Sequence, residues 1–131
     1  MTMEPRKELR IKRAATDRAP SHMRREIRAF LTELNVSQRV IEDVLTAISE
    51  AVANAVEHGY SGGDPGDVEL AARVEADRTL HVEVADTGEF LDRDRLPDRG
   101  LGLTLIRSFA RSTEIVRDGG TRIKMVFDLV R

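Results

Sequence analysis

The sequence predicts an α+β fold, a two-layer sandwich with helices on one face of a mostly antiparallel sheet. Three observations predict it. Segments in the first half carry apolar residues at helical spacing. Segments in the second half alternate apolar and polar residues with the period of a strand. The order strand, two helices, hairpin, helix, hairpin gathers the helices into one layer. The chain has 131 residues, the size of one domain, so residues 1–131 read as a single unit.

Leu9 and Ile11 alternate with charged neighbours and predict the first strand. Pro20-Ser21 opens a helix in which Met23, Ile27, Leu31 and Leu34 recur at helical spacing, ending near Leu34. Ser37 is placed to cap a second helix. There Ile41, Val44, Leu45, Ile48, Val52, Ala55 and Val56 share one arc, and the helix runs to His58 and stops at Gly59. Ser61 to Asp67 is a loop by composition. Val68, Leu70, Ala72 and Val74, then Leu80, Val82 and Val84, form two alternating runs around Asp77-Arg78, an antiparallel hairpin with one wet face. Asp86 to Gly102 is a charged loop between two glycine-containing signals. Leu103–Arg111 reads as a helix, Glu114–Arg117 as a short strand and Asp118-Gly119-Gly120 as a turn. The last strand alternates Ile123, Met125, Phe127 and Leu129 with polar neighbours.

Composition narrows the function classes. Hydrophobic content of 40% and charged content of 34% fit a soluble globular protein. A net charge of -2 gives no bulk pull toward nucleic acid or an anionic membrane, so neither is an expected partner. The absence of cysteine excludes disulfides, thiolate zinc sites and cysteine nucleophiles. No apolar run approaches a membrane span. The basic residues Arg6, Lys7, Arg10, Lys12 and Arg13 are not followed by an apolar block, so a secretory signal is not expected and a cytoplasmic location is.

Three sets of residues are candidates for chemistry. Glu50, Asn54 and His58 recur every four residues along one face of the second helix, a face read as opposite the apolar arc. Such a face is often simply solvated, but asparagine is a poor helix-interior residue. Carboxylate and amide oxygens also suit a hard cation such as Mg²⁺, or a reacting hydroxyl. Asp86-Thr87-Gly88 follows directly on a strand, where a carboxylate can accept a hydrogen bond from an exocyclic amine and a glycine admits a ligand to the backbone. The same residues also make ordinary turns. Gly100-Leu101-Gly102-Leu103 opens a helix, and free N–H groups there can hold phosphate oxygens. Neither a dinucleotide-binding fingerprint nor a P-loop is present.

Taken in order, these motifs resemble the GHKL, or Bergerat-fold, ATPase superfamily, and the resemblance spans nearly the whole chain. Ile48 to Tyr60 is similar to its N box, and the form SEAVxNAxxHGY resembles the anti-sigma factor serine/threonine kinases of the RsbW/SpoIIAB type. Asp86-Thr87-Gly88 resembles the first glycine box, Gly100 to Ile106 the second, and Gly120-Thr121 the late Gly-Thr that closes the adenine pocket. The resemblance implies ATP and Mg²⁺ as cofactors. It implies Glu50 as general base, Asn54 as Mg²⁺ ligand, and Asp86 as acceptor from the adenine amine, with Thr121 assisting through water. Gly88 would leave space beside the base, and Gly100 and Gly102 would cradle phosphates under a lid, residues 89–99. His58 is as readily a helix-end histidine interacting with the dipole. The implied protein binds a sigma factor and phosphorylates a STAS-domain anti-anti-sigma protein, with a homodimer expected. The alternative is a nucleotide-binding partner switch without catalysis. One departure bears on this: the first glycine box is usually DxGxG, and Phe90 stands at its fifth position.

Overall fold

The computed structural model describes residues 6–59, 66–86, 101–117 and 120–130. Strand β1 spans Glu8–Ala14, helix α1 Ala19–Glu33 and helix α2 Gln38–Gly59. Strands β2 (Asp67–Val74) and β3 (Thr79–Asp86) follow, then helix α3 (Leu101–Phe109) and strands β4 (Ser112–Arg117) and β5 (Thr121–Asp128). The strands form one antiparallel sheet in the order β1-β2-β3-β5-β4. The two-layer α+β architecture is the expected one.

Helix α1 begins with proline in its first turn, where a missing N–H costs nothing. Ala19, Met23, Ile27, Phe30 and Leu31 fall on one side and are buried. The helix ends because Asn35 turns left-handed, at φ 60°. Val36 N–H then donates to the Leu31 carbonyl and Asn35 N–H to the Thr32 carbonyl, both at 3.1 Å, the paired bonds of a Schellman stop. Asparagine is one of the few residues with a side chain that visits this conformation routinely. Ser37 then caps α2 as expected, its hydroxyl accepting from Val40 N–H at 3.4 Å.

Alternation along each strand sorts the sheet into two faces. Leu9, Ile11, Val68, Leu70, Ala72, Leu80, Val82, Val84, Ile123, Met125 and Phe127 point to the helices and are buried. The other face is charged, with Arg122 paired to Glu83 at 2.7 Å across β5 and β3. Helix α2 is the central element of the second layer, touching α1, α3, β2, β3 and β5. Its buried arc supplies Ile41, Val44, Ile48 and Val52, each worth roughly 1.5–3 kcal/mol on burial.

Two local outcomes differ from the sequence expectation. Helix α3 occupies Leu101–Phe109 rather than 103–111. Its last bond runs from Ala110 N–H to the Ile106 carbonyl, and Arg111 N–H is taken instead by the Val126 carbonyl at 2.7 Å. That bond to β5 draws the chain into β4, which starts at Ser112 rather than Glu114. The β2–β3 connection is also longer than Asp77-Arg78. It closes through Arg78 N–H to the Glu75 carbonyl, with Arg78 at φ 66°. Asp77 Oδ1 accepts from the Thr79 N–H at 3.1 Å and the Thr79 hydroxyl at 2.7 Å. These bonds, the hydroxyl first, hold the Asp77 carboxyl below the usual carboxylate range. Among the described residues, no helix is long and apolar enough to cross a membrane.

Candidate functional site

Asp86 is the last residue of β3 and follows Val82 and Val84 in the strand's alternation. Its side chain therefore points toward the helices rather than to water, and the residue is only 7% exposed. On one side it pairs with Val68 of β2. On the other, the β3–β5 ladder reaches Ala85 opposite Arg122, which brings Thr121, the first residue of β5, alongside Asp86. Thr121 is buried to the same extent.

Helix α2 covers this end of the sheet. A crevice opens there, lined by Ala51, Asn54, Ala55, Val84, Asp86, Thr121 and Ile123. The small side chains of Ala51 and Ala55 leave the space. Two polar atoms at this crevice, Asn54 Nδ2 and Thr121 Oγ1, are buried without a hydrogen-bond partner. An orphaned buried polar group costs about 1–3 kcal/mol, so such groups in a crevice call for a ligand or ordered water. The crevice thus presents an amide, a hydroxyl and a carboxylate against apolar walls, the donor and acceptor set that fits the edge of a purine and a coordinated phosphate chain.

Glu50 lies one turn before Asn54 on α2 and is half-buried. Asn54 does not lie opposite the apolar arc, as the spacing alone suggested for the whole series. Four residues advance a helix by about 40° beyond a full turn, so the series rotates toward the arc as it proceeds. Asn54 consequently reaches the border beside Ala51 and Ala55, and a polar side chain becomes half-buried. Among the described residues no three acidic or histidine side chains form a preformed cation cage. A Mg²⁺ ion that arrives on phosphates needs only one or two protein oxygens, and Asn54 and Glu50 fit that requirement.

Gly102 falls in the first turn of α3, where backbone N–H groups have no partner within the helix. Gly88, Gly100, Phe90 and the whole 89–99 segment lie outside the described residues, as does the side chain of His58. The structure thus brings Asn54, Asp86 and Thr121 together around one crevice and places Glu50 a turn away on the same helix. Sequence reasoning missed Ala51 and Ala55 as lining residues. The recurrence of alanine at 47, 51 and 55 is the signal that marks a close-approach face. Sequence reasoning read Gly120 as part of a turn and of the late Gly-Thr pair, without its contact to Asp86. In the structure a β-carbon at Gly120 would lie 2.6 Å from the Asp86 carbonyl oxygen. A broader concavity on the bare sheet face, lined by Arg10, Arg73, His81, Glu83 and Lys124 among others, is an open, charge-mixed surface rather than a crevice.

Comparison with known proteins identifies the family to which this fold belongs. The sequence pattern of the family described as histidine kinase-like ATPase domain matches residues 13–127. An anti-sigma F factor of Clostridium acetobutylicum is 30% identical over 130 residues, covering 90% of each chain. One from Clostridium novyi is 33% identical over 118 residues, covering 80% of this chain and 82% of that one. Among solved structures, the RsbU and RsbW domains of Rv1364c from Mycobacterium tuberculosis superpose with a TM-score of 0.79 at 29% identity. That match covers 97% of this chain but 34% of the other, so the chain spans about a third of that structure's length. The histidine kinase domain of a blue-light activated kinase from Erythrobacter litoralis superposes with a TM-score of 0.59 at 27% identity, covering 69% of this chain and 45% of that one.

Proposed function

The chain belongs to the histidine kinase-like ATPase family, and from that premise we propose that it is an ATP-binding anti-sigma factor with serine/threonine kinase activity. The observation that carries the reading is the grouping of Asn54, Asp86 and Thr121 around one crevice, with two of their polar atoms unpartnered. In this reading Asp86 accepts a hydrogen bond from the adenine amine and Thr121 reaches the base through a water. Gly88 leaves room beside the base, and the backbone of Gly100 and Gly102 holds phosphate oxygens. Asn54 lends its amide oxygen to Mg²⁺, which neutralises phosphate charge when bound. Glu50 is the catalytic base. It takes the proton from a serine or threonine hydroxyl of the substrate as that oxygen attacks the terminal phosphorus and ADP leaves.

The substrate is a STAS-domain anti-anti-sigma protein, as the resemblance to RsbW/SpoIIAB-type kinases implies, and the sequestered partner a sigma factor, a role supported by the names of the anti-sigma F factor relatives. A homodimer in the cytoplasm is part of the same reading. Phe90 at the fifth position of the first glycine box favours a second reading, a nucleotide-dependent partner switch without phosphate transfer. Incubation with terminally labelled ATP, Mg²⁺ and the STAS-domain proteins of the same genome separates them. Label on a STAS hydroxyl supports the kinase. Nucleotide binding without transfer to any of them supports the switch. A folded protein that binds no nucleotide overturns both.

A further inference from the structure

We propose that the outer edge of β1 is a docking site for an extended acidic segment of a partner protein, which joins the sheet as a further strand. The site is separate from the crevice and holds whatever the crevice binds. β1 stands at one end of the strand order and, among the described residues, pairs with β2 alone. The ladder fixes which of its backbone groups face outward. Val74 N–H donates to the Lys7 carbonyl and Ala15 N–H to the Gly66 carbonyl, both at 2.9 Å. Both pairs continue the register that sets Glu8 opposite Arg73 and Ala14 opposite Asp67. Opposed residues in an antiparallel pair alternate between exchanging bonds and facing away, so Leu9, Ile11 and Arg13 also bond to β2. Glu8, Arg10, Lys12 and Ala14 turn their N–H and C=O groups to the free edge. The far end of that edge is closed. There the Ala14 carbonyl accepts from Thr16 N–H at 2.7 Å, and the Lys12 carbonyl from the Arg13 guanidinium at 2.9 Å. The stretch from Glu8 to the Lys12 N–H stays open to another strand.

The side chains dictate what that strand carries. Leu9 and Ile11 are buried toward the helices, whereas Glu8, Arg10 and Lys12 are exposed on the bare face of the sheet. Arg10 has no ion-pair partner among the described residues. Lys12 meets Asp67 and Glu69 only at 3.6 and 3.8 Å. An added strand sets its own side chains directly opposite these, where unlike charges stabilise and like charges destabilise. Carboxylates therefore belong opposite Arg10 and Lys12. The residue between them falls beside Ile11, on the side of the sheet that α1 covers, and is apolar. The matching segment thus alternates acidic and apolar residues. A second copy of β1 is a poorer match, because Arg10, Lys12 and Arg13 outweigh Glu8 and set a cationic strand against itself. Basic residues on an edge keep like chains apart, and the same charges select an acidic one.

The test uses short capped peptides of three kinds. One alternates glutamate with valine, one alternates lysine with valine, and one has the first composition with its glutamates grouped. Fluorescence anisotropy measures binding, and hydrogen exchange locates it. The alternating acidic peptide should bind about tenfold or more tighter than the grouped one and protect the Arg10 and Lys12 amides, while the lysine peptide does not bind. Arg10→Glu should weaken the acidic peptide by about tenfold. Arg10→Pro should abolish its binding yet leave the circular dichroism unchanged, because the N–H it removes faces outward and proline is tolerated on that side of an edge strand. Equal binding of the alternating and grouped peptides reduces the edge to a charged surface and overturns the proposal. Binding that survives Arg10→Pro, or no binding to the wild type, overturns it too. If Arg10→Pro does not fold, Arg10→Glu decides, and an unchanged affinity is then fatal. Sedimentation checks the rival occupant: a dimer that either variant dissociates assigns the edge to a second copy instead.

Discussion

The guanidinium of Arg78, in the β2–β3 turn, donates a 3.0 Å hydrogen bond to the Leu34 carbonyl at the end of α1. The Arg78 carbonyl in turn accepts from Leu129 N–H at 3.0 Å, just beyond β5. One residue therefore ties the hairpin, the first helix and the chain's last strand at the end of β3 remote from Asp86.

Arg78→Ala should accordingly destabilise the fold by about 1.5–3 kcal/mol, the range for a charge-assisted hydrogen bond to a partly buried carbonyl. Arg78→Gly should recover roughly 0.5–1 kcal/mol of that loss, because glycine adopts φ 66° without strain. Urea unfolding of the three proteins measures both effects. Equal midpoints for wild type and Arg78→Ala would show that the bond contributes nothing.

Mg-ATP should raise the melting temperature, since only the folded chain holds the crevice. At a ligand concentration of about one hundred times Kd the stabilisation is about 2.7 kcal/mol. Asp86→Asn should remove most of the shift. A thermal scan with millimolar nucleotide checks it, and a full shift in the variant would take adenine recognition away from Asp86.

Binding and chemistry should separate on α2. Glu50→Gln should keep nucleotide affinity and lose phosphate transfer by about 10²–10⁴-fold. Asn54→Ala should instead weaken the Mg²⁺-dependent part of binding. Titrations with and without Mg²⁺, beside a transfer assay on an identified substrate, distinguish the two. Wild-type transfer by Glu50→Gln would mean that another group takes the proton.

Acid stability should carry a signature of the hairpin. The Asp77 carboxyl is held below its ordinary range by the Thr79 hydroxyl and N–H. Its folded pKa is thus depressed relative to the unfolded chain. The stabilisation is complete above the unfolded value, about 3.9, and is lost as pH falls through the lower folded value. Asp77→Asn should flatten the stability profile below about pH 4 and leave its slope near neutrality unchanged. Denaturant midpoints across that range provide the check, and an unaltered acid slope would rule out a contribution from these bonds.

Much of the architecture was legible because periodicity is a local property. Leu9 and Ile11 marked β1, and Ile41 to Val56 marked the buried arc of α2, since burial on one side imposes the spacing directly. The adjacency of β3 and β5 was not legible, because nothing in either strand names its partner. Helix α3 was misplaced by two residues for a related reason: the bond from Arg111 to Val126 that ends it crosses between elements. At the site, Glu50, Asn54, Asp86 and Thr121 were legible as residue types in a familiar order. The half-burial of Asn54 needed the sheet beneath it, and the contact of Gly120 with Asp86 needed both strands in place.

The pairing of β1 with β2 has a kinetic consequence. Glu8 lies opposite Arg73 and Ala14 opposite Asp67, so the whole of α1 and α2 is enclosed in the loop this pairing closes. The β2–β3 hairpin closes over a few residues, while β1 must be brought home across residues 15–66. Loop closure of that length is entropically unrewarded until the helices have a sheet to land on. Pulse-labelled hydrogen exchange during refolding should therefore find the amides of β2 and β3 protected first and those of β1 last. The strand that begins the fold in sequence is the one expected to complete it in time.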